Sequence, residues 1–198
     1  SPQMIEQYVV SFLSNQNISS CVIGRDGRSS GKDIAQWVTN ALIKYGVSVD
    51  NCDLATTPTM QLMTEKDKYD GGIVITASHN PIEYNGLKFL QSDGTFLSPD
   101  QCKILFESVD NNLTLNESER VASVSNYTSA NQEHISKVFD AKSIDVKNIR
   151  SKKFKVVIDA VNGGASSILP QLCNDLGCDI EMINCDGDGN FTRVAEPL

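Results

Sequence analysis

The sequence predicts an α/β fold: a mixed, mainly parallel sheet flanked by helices, followed by the start of a similar second α/β domain. Three observations carry that expectation. Strand-length apolar runs alternate with helix-period stretches from residue 20 to residue 76. A second strand–loop–helix–strand pattern opens at Phe154. The loops that follow these strands are polar, and strand-end loops are where an α/β sheet presents chemistry from a rigid scaffold.

Ser1-Pro2, followed by Met4, Ile5, Tyr8, Val9, Phe12 and Leu13, reads as an amphipathic helix with serine at its N-cap and proline at its first position. Ser20 to Gly24 reads as a short strand. Gly31 to Tyr45 carries apolar residues at Ile34, Trp37, Val38, Ala41 and Leu42, a helical stripe closed by Gly46. Val47 to Leu54 is a second strand, and Pro58 opens a helix that runs to about Lys66. The strand at 71–76 completes a β-α-β-α-β series, which predicts right-handed crossovers and a largely parallel sheet.

Leu87 to Leu90 reads as a short strand, and Ser98-Pro99 starts a helix that ends near Val109. Residues 110–128 are rich in Asn, Ser and Thr and fit a loop or a weak strand. Asn131–Phe139 and Ile144–Arg150 read as helices joining two domains. Phe154–Asp159 is then a strand, Val161-Asn162-Gly163-Gly164 a turn, 165–176 a helix ended at Gly177, and Ile180–Ile183 a strand. The expected division is 1–128, a helical linker at 129–152, and the beginning of a second domain at 153–198. Two strands and one helix cannot enclose a core, so the chain reads as part of a longer parent.

At 198 residues and 40% hydrophobic content the chain fits an ordinary globular core rather than a disordered one. The net charge of −8, without a long basic run, argues against nucleic acid as a partner. An anionic substrate therefore has to be held by local positive groups and a metal, against an unfavourable overall field. No apolar run approaches the roughly 18 residues of a membrane span, so no membrane partner is expected. Six scattered cysteines without C-x-x-C spacing, and no signal peptide, predict a reducing, cytoplasmic setting. The N-x-S/T triplets at Asn17, Asn112, Asn116, Asn126 and Asn190 are then chance matches.

The densest chemistry lies in Thr76-Ala77-Ser78-His79-Asn80-Pro81, directly after an apolar strand. Ser78-His79 does not fit a hydrolytic nucleophile and base: neighbours in an extended segment point to opposite sides, and a G-x-S-x-G elbow is lacking. Alone, the hexapeptide would fit a turn stabilised by Ser and Asn before a proline. The loop after the first strand, Gly24-Arg25-Asp26-Gly27-Arg28, ends on the same edge of the sheet. There Arg25 and Arg28 can chelate phosphate through fork geometry, or Asp26 can pair with an arginine and tighten the turn. Thr56-Thr57-Pro58 adds hydroxyls and free helix N–H groups, and also reads as a cap.

In order and spacing, Gly24-Arg25-Asp26-Gly27-Arg28-Ser29-Ser30-Gly31, Thr57-Pro58-Thr59, Thr76-Ala77-Ser78-His79-Asn80-Pro81 and Asn85-Gly86-Leu87-Lys88 resemble the α-D-phosphohexomutases. That family includes phosphoglucomutase, phosphomannomutase and phosphoglucosamine mutase. Val156 to Gly164 resembles the opening of the family's second domain. The resemblance implies that Ser78 carries a phosphoryl group and passes it to one hydroxyl of a hexose phosphate. Phosphate then returns from the other end of a bisphosphorylated intermediate. It implies Lys88 as general acid/base or charge stabiliser, His79 beside Ser78 in the catalytic set, and His79 and Asn80 shaping the phosphoserine loop. Arg28 and Arg25 become phosphate contacts or loop braces. Mg²⁺ would touch the chain through the Ser78 phosphate, with its other ligands outside this sequence, and a glucose 1,6-bisphosphate-type activator would load the serine. Glucose or mannose phosphate is the expected substrate; glucosamine phosphate, or a non-catalytic sugar-phosphate-binding role, is the alternative.

The chain departs from the family pattern in several places. The F-G-T-x-G-I-R-G-like opening strand is not in this sequence. Asp186-Gly187-Asp188-Gly189-Asn190 imitates the D-G-D-x-D-R metal loop but lacks its third Asp and its Arg. With Phe191 and Glu196-Pro197-Leu198 it matches instead the family's D-G-x-F…P-x-P segment. The sugar-specificity and final phosphate-binding loops are missing too, so the polypeptide alone is expected to be inactive within a mutase parent.

Overall fold

The structure is a computed structural model and describes residues 1–66 and 68–193. In chain order the elements are α1 (Pro2–Ser14), β1 (Ser20–Arg25), α2 (Gly31–Lys44), β2 (Ser48–Leu54), α3 (Thr57–Thr64), β3 (Gly71–Ile75) and β4 (Leu87–Gln91). They continue with α4 (Pro99–Asp110), β5 (Val124–Asn126), α5 (Ala130–Phe139), α6 (Val146–Lys152), β6 (Lys155–Asp159), α7 (Ile168–Asp175) and β7 (Asp179–Ile183). The mixed, mainly parallel sheet expected from the sequence is present. Its five strands run in the order β4-β3-β1-β2-β5, with β4 the antiparallel member. The polar stretch at 110–128 contributes β5, three exposed residues paired parallel to β2 at the sheet edge. A second, two-stranded parallel sheet joins β6 to β7.

The helix starts follow from local chemistry. The Ser1 hydroxyl accepts the Met4 N–H, the Thr56 hydroxyl accepts the Thr59 N–H, and Ser98 forms a reciprocal capping box with Gln101, each ahead of a proline in the first turn. Alternation in the strands then splits the apolar residues between two cores. Cys21, Ile23, Ile73, Ile75 and Phe89 face Val9, Phe12, Val38 and Leu42 of α1 and α2. Val22, Val74 and Leu90 face Met60 and Met63 of α3 and Ala130 of α5. Gly72 keeps this second face close-packed, since a Cβ there would lie 2.3 Å from Thr64 Oγ1.

This topology decides where the site lies. With β1 central and β2 and β3 parallel on either side, the loops after all three strands emerge on one edge. Arg25 is in register with both Ile75 and Leu54, so the strand ends are level. α2 covers one face and α3 the other, which opens a crevice at the carboxyl ends of these strands.

Candidate functional site

Three separate sequence segments meet at that edge, and Asp26 joins them. Its Oδ1 accepts the Arg28 backbone N–H at 3.0 Å, and its Oδ2 accepts Arg28 Nε at 3.1 Å and the Thr76 hydroxyl at 2.7 Å. Thr76 Oγ1 in turn accepts the Ser78 N–H at 3.0 Å. The strand β3 therefore does not simply run out into solvent. Its first loop residue is tied back to the loop after β1, and Ser78 is held two residues beyond that tie.

Arg28 completes the closure from underneath. Its side chain is fully buried, and all of its N–H groups are engaged. Besides Asp26, Nη1 donates to the carbonyls of Pro81 at 2.6 Å and Tyr84 at 2.9 Å; Nη2 donates to those of Ser78 at 2.9 Å and Asn80 at 2.8 Å. Four of the five donors of this rigid planar fork thus hold residues 78–84 from below, and the fifth, Nε, holds Asp26. The Phe191 ring lies 5.1 Å from the guanidinium carbon. Of the two roles expected for Arg28, bracing the loop accounts for every donor, and none is left over for a phosphate in this arrangement.

Arg25 is likewise committed. Its Nε and Nη2 reach Asp53 Oδ1, both at 2.7 Å, and Nη1 donates to the Asp26 carbonyl at 3.0 Å. Like Cys21 and Ile23 on the same strand, it belongs to the α2 face, where it borders Lys32 and Gln36. The structure thus separates Arg25 from the crevice that holds Ser78.

Ser78, His79 and Asn80 are all exposed. Ser78 has φ of 56°, a left-handed conformation that costs a residue with a Cβ about 1–2 kcal/mol. The bonds to its N–H and carbonyl impose that conformation. Asn80 contributes its backbone here, donating N–H to Ala77 and offering its carbonyl to Arg28. The following motif is fastened to the same frame: Asn85 Nδ2 donates to the Ser30 hydroxyl at 3.0 Å, and the Gly86 carbonyl accepts the Thr76 N–H at 3.0 Å. Lys88 lies on β4 in register with Val74, but it does not line the Ser78 crevice: it borders a separate apolar groove with Met4, Tyr8 and Phe96, and its ammonium sits 5.6 Å from the centre of the Phe96 ring.

The crevice is a cavity of about 290 Å³. One wall is Asp26, Thr76, Ser78 and Val74; another is Ala55, Thr56 and Thr57 at the start of α3; the third is Val161, Gly163, Gly164 and Ala165 with Phe191. The second sheet unit thus supplies a whole wall. Asn162 secures it: 5% exposed and at φ of 54°, it accepts the N–H groups of Asp186 and Gly189 and donates Nδ2 to the Asn190 carbonyl. This packs 186–190 against Gly27, where a Cβ would lie 2.4 Å from the Asn162 carbonyl oxygen. Asp188 spends its carboxylate on the Asn190 backbone and side chain. The Glu196-Pro197-Leu198 part of that segment lies outside the described residues.

Asp26, Thr76, Asn162 and Phe191 were not singled out as site residues by sequence reasoning. Asp26 and Asn162 did carry a signal, a short polar side chain beside glycine in a strand-end turn. Among the described residues no group of three or more His, Cys, Asp or Glu side chains is placed to hold a metal ion. No helix among them is long and apolar enough to cross a membrane.

Two family models match the chain: phosphoglucomutase/phosphomannomutase, alpha/beta/alpha domain I, over residues 3–115, and domain II of the same name over residues 132–198. A phosphoglucosamine mutase of Methanococcus vannielii is 35% identical over 192 residues, covering 96% of this chain and 41% of its own length. A phosphoglucomutase/phosphomannomutase of Thermococcus kodakarensis is 35% identical over 180 residues, covering 89% of this chain and 38% of its own length. Among solved structures, a phosphoglucomutase/phosphomannomutase family protein of Burkholderia thailandensis superposes with a TM-score of 0.73 at 26% identity, over 97% of this chain and 41% of that one. A putative phosphomannomutase of Thermus thermophilus shares the fold, with a TM-score of 0.77 at 19% identity over 96% of this chain and 42% of its own. The chain spans about 41% of the length of the first of these curated relatives.

Proposed function

The chain belongs to the phosphoglucomutase/phosphomannomutase family, and from that premise we propose that it is the phosphoryl-carrying part of a hexose-phosphate mutase, with Ser78 as the carrier. The observation that carries the reading is the Arg28 clamp. Four backbone carbonyls of residues 78–84 are turned inward onto one buried guanidinium, so the loop is pre-formed and Ser78 stands exposed at the rim of the cavity. Fixing a transferable group before reaction is how phosphoryl transfer gains most of its rate.

In the proposed reaction the bond between phosphorus and Ser78 Oγ breaks as a bond to a sugar hydroxyl oxygen forms. The sugar hydroxyl loses its proton to a base, and Ser78 Oγ takes one up. The reverse transfer, from the other phosphate of the bisphosphorylated sugar, restores the phosphoserine. Lys88 is the acid/base or charge-stabilising group of this proposal, carried on the strand paired to the cavity wall. Thr56 and Thr57 bring hydroxyls to this lining, and Gly164 and Ala165 bring backbone N–H groups, as donors to phosphate oxygens in the proposal; the Gly163 N–H is spent on the Ala160 carbonyl. The cavity lining itself holds Asp26 and no basic side chain, so charge neutralisation falls to groups beyond that lining.

The described residues do not by themselves form a Mg²⁺ site. The metal contact this chain offers in the proposal is the phosphate on Ser78, with further ligands from elsewhere in the protein, and a sugar bisphosphate serves as the activator that loads it. The setting proposed is the cytoplasm. For the sugar we favour glucose and mannose phosphates; a glucosamine phosphate is the second reading, supported by relatives that carry the name phosphoglucosamine mutase. Comparing kcat/KM for the three sugar phosphates in the protein that carries this chain separates them. The proposal of glucose and mannose phosphates fails if glucosamine phosphate is preferred by more than about tenfold, a discrimination of about 1.4 kcal/mol.

A further inference from the structure

Beyond the Ser78 loop, three polar side chains form a continuous file from α5 to the cavity. His134 Nδ1 lies 2.9 Å from Thr59 Oγ1, and Thr59 Oγ1 lies 2.8 Å from Thr56 Oγ1. Thr59 has no exposed surface, and Thr56 lines the cavity with Ser78. Thr56 Oγ1 also accepts the Thr59 backbone N–H as the cap of α3.

Each contact in this file needs one proton, and each hydroxyl has one to give. If His134 Nδ1 is bare, Thr59 donates to it and Thr56 donates to Thr59. The Thr56 proton is then spent inward, and the cavity meets only an acceptor. If Nδ1 carries a hydrogen, it donates to Thr59, and Thr59 donates to Thr56. Thr56 Oγ1 then accepts two bonds, and its own proton is free for the cavity. The state of a ring outside the cavity lining thus sets the polarity of a hydroxyl on a residue of that lining.

We propose that His134 is a positioning residue for phosphate in the Ser78 cavity: with a hydrogen on Nδ1 it turns the Thr59–Thr56 file so that the Thr56 hydroxyl donates to a phosphoryl oxygen. This rests on the reading that the cavity receives phosphoryl groups. Coupling follows in both directions, because an anion that selects the donor orientation also selects the Nδ1–H state of the ring. Partial burial holds the His134 pKa below its usual value, which favours the neutral ring and leaves either tautomer open to it.

The charges between α3 and α5 do not bias the ring strongly. Glu65 and Lys66, at the C-terminal end of α3, are paired with Lys137 and Glu133 of α5. On the other side, Ser167 at the N-cap of α7 and Gln171 within it, both uncharged, bond to α5.

The chain has two histidines, His79 and His134, so imidazole ¹⁵N resonances can be assigned with a single His134→Phe variant. Inorganic phosphate is titrated into the full chain while the ring nitrogens and the backbone amides of residues 76–81 are followed across pH. Phosphate is expected to move His134 Nδ1 towards the protonated-nitrogen position and to raise the midpoint of the ring's titration. Thr59→Val severs the file and is expected to abolish that ring response and weaken phosphate binding about tenfold, while Thr59→Ser retains both. If Thr59→Val does not fold, His134→Phe at its half-buried site tests the same loss through the loop amides. A His134 ring unmoved by phosphate in the unsubstituted chain overturns the proposal, whether or not the loop amides shift; so does a Thr59→Val variant that responds and binds as the original does. Inorganic phosphate needs no chemistry at Ser78, so a responsive His134 in a chain whose Ser78 never accepts phosphate would sink the mutase reading alone.

Discussion

Arg28 exerts its influence through the backbone of another loop. A lysine in its place keeps the charge but can neither fork nor reach four carbonyls and a carboxylate together. Arg28→Lys is expected to cost about 2–4 kcal/mol by urea unfolding and to speed amide exchange in residues 78–84; unchanged stability with unchanged exchange would contradict the clamp. Gly27→Ala tests the joint on the other side of the same loop. Its methyl group must displace the Asn162 carbonyl, which a Cβ would meet at 2.4 Å, at an expected cost of about 1–3 kcal/mol in the same assay. The suspicion of Ser78 came from the sequence, because a Ser-His-Asn-Pro run after an apolar strand stands out locally. The direction of Arg28 did not, since it depends on carbonyls some fifty residues away that turn inward only once the loop has closed.

Among the elements, the start of β1 depends on Asp70, which precedes β3. Its Oδ2 accepts the N–H and hydroxyl groups of both Ser19 and Ser20. Burial pushes its pKa up, but these bonds outweigh it, and the carboxyl is held below its ordinary value. A group depressed in the folded state contributes its stability fully above its unfolded pKa of about 3.9 and loses it as the pH falls through the folded value. The stability gap between the original chain and Asp70→Asn is therefore expected to be open at pH 7 and to narrow below about pH 4. Urea midpoints at both ends of that range measure it, and a gap independent of pH would refute the linkage. Elements themselves were legible because their signals are local: Ser1-Pro2, Thr56 before Pro58 and Ser98-Pro99 cap the helices that the periodicity requires. The sequence of β5 fits loop and strand alike, because its pairing comes from β2, seventy-five residues earlier, and its own side chains are exposed.

At the scale of the whole molecule, the cavity exists only where two units meet. α5 packs on both α3 and α7, and the 161–165 turn closes the wall opposite Ser78. The second sheet leaves Phe154, Val157 and Met182 each more than half exposed, as expected of a unit with apolar surface still to cover. Because the chain spans about 41% of the first curated relative's length and its described residues form no metal cluster, the 198 residues alone are expected to give no mutase turnover in a coupled assay with glucose 1-phosphate; robust turnover would overturn that expectation. The central claim, that Ser78 is the phosphoryl carrier, is tested most directly by incubating the protein that carries this chain with glucose 1,6-bisphosphate and locating phosphate by peptide mass spectrometry. The account predicts phosphate on Ser78, lost in Ser78→Ala. An unmodified Ser78 after the bisphosphate has been consumed, or phosphate at another residue instead, would contradict it.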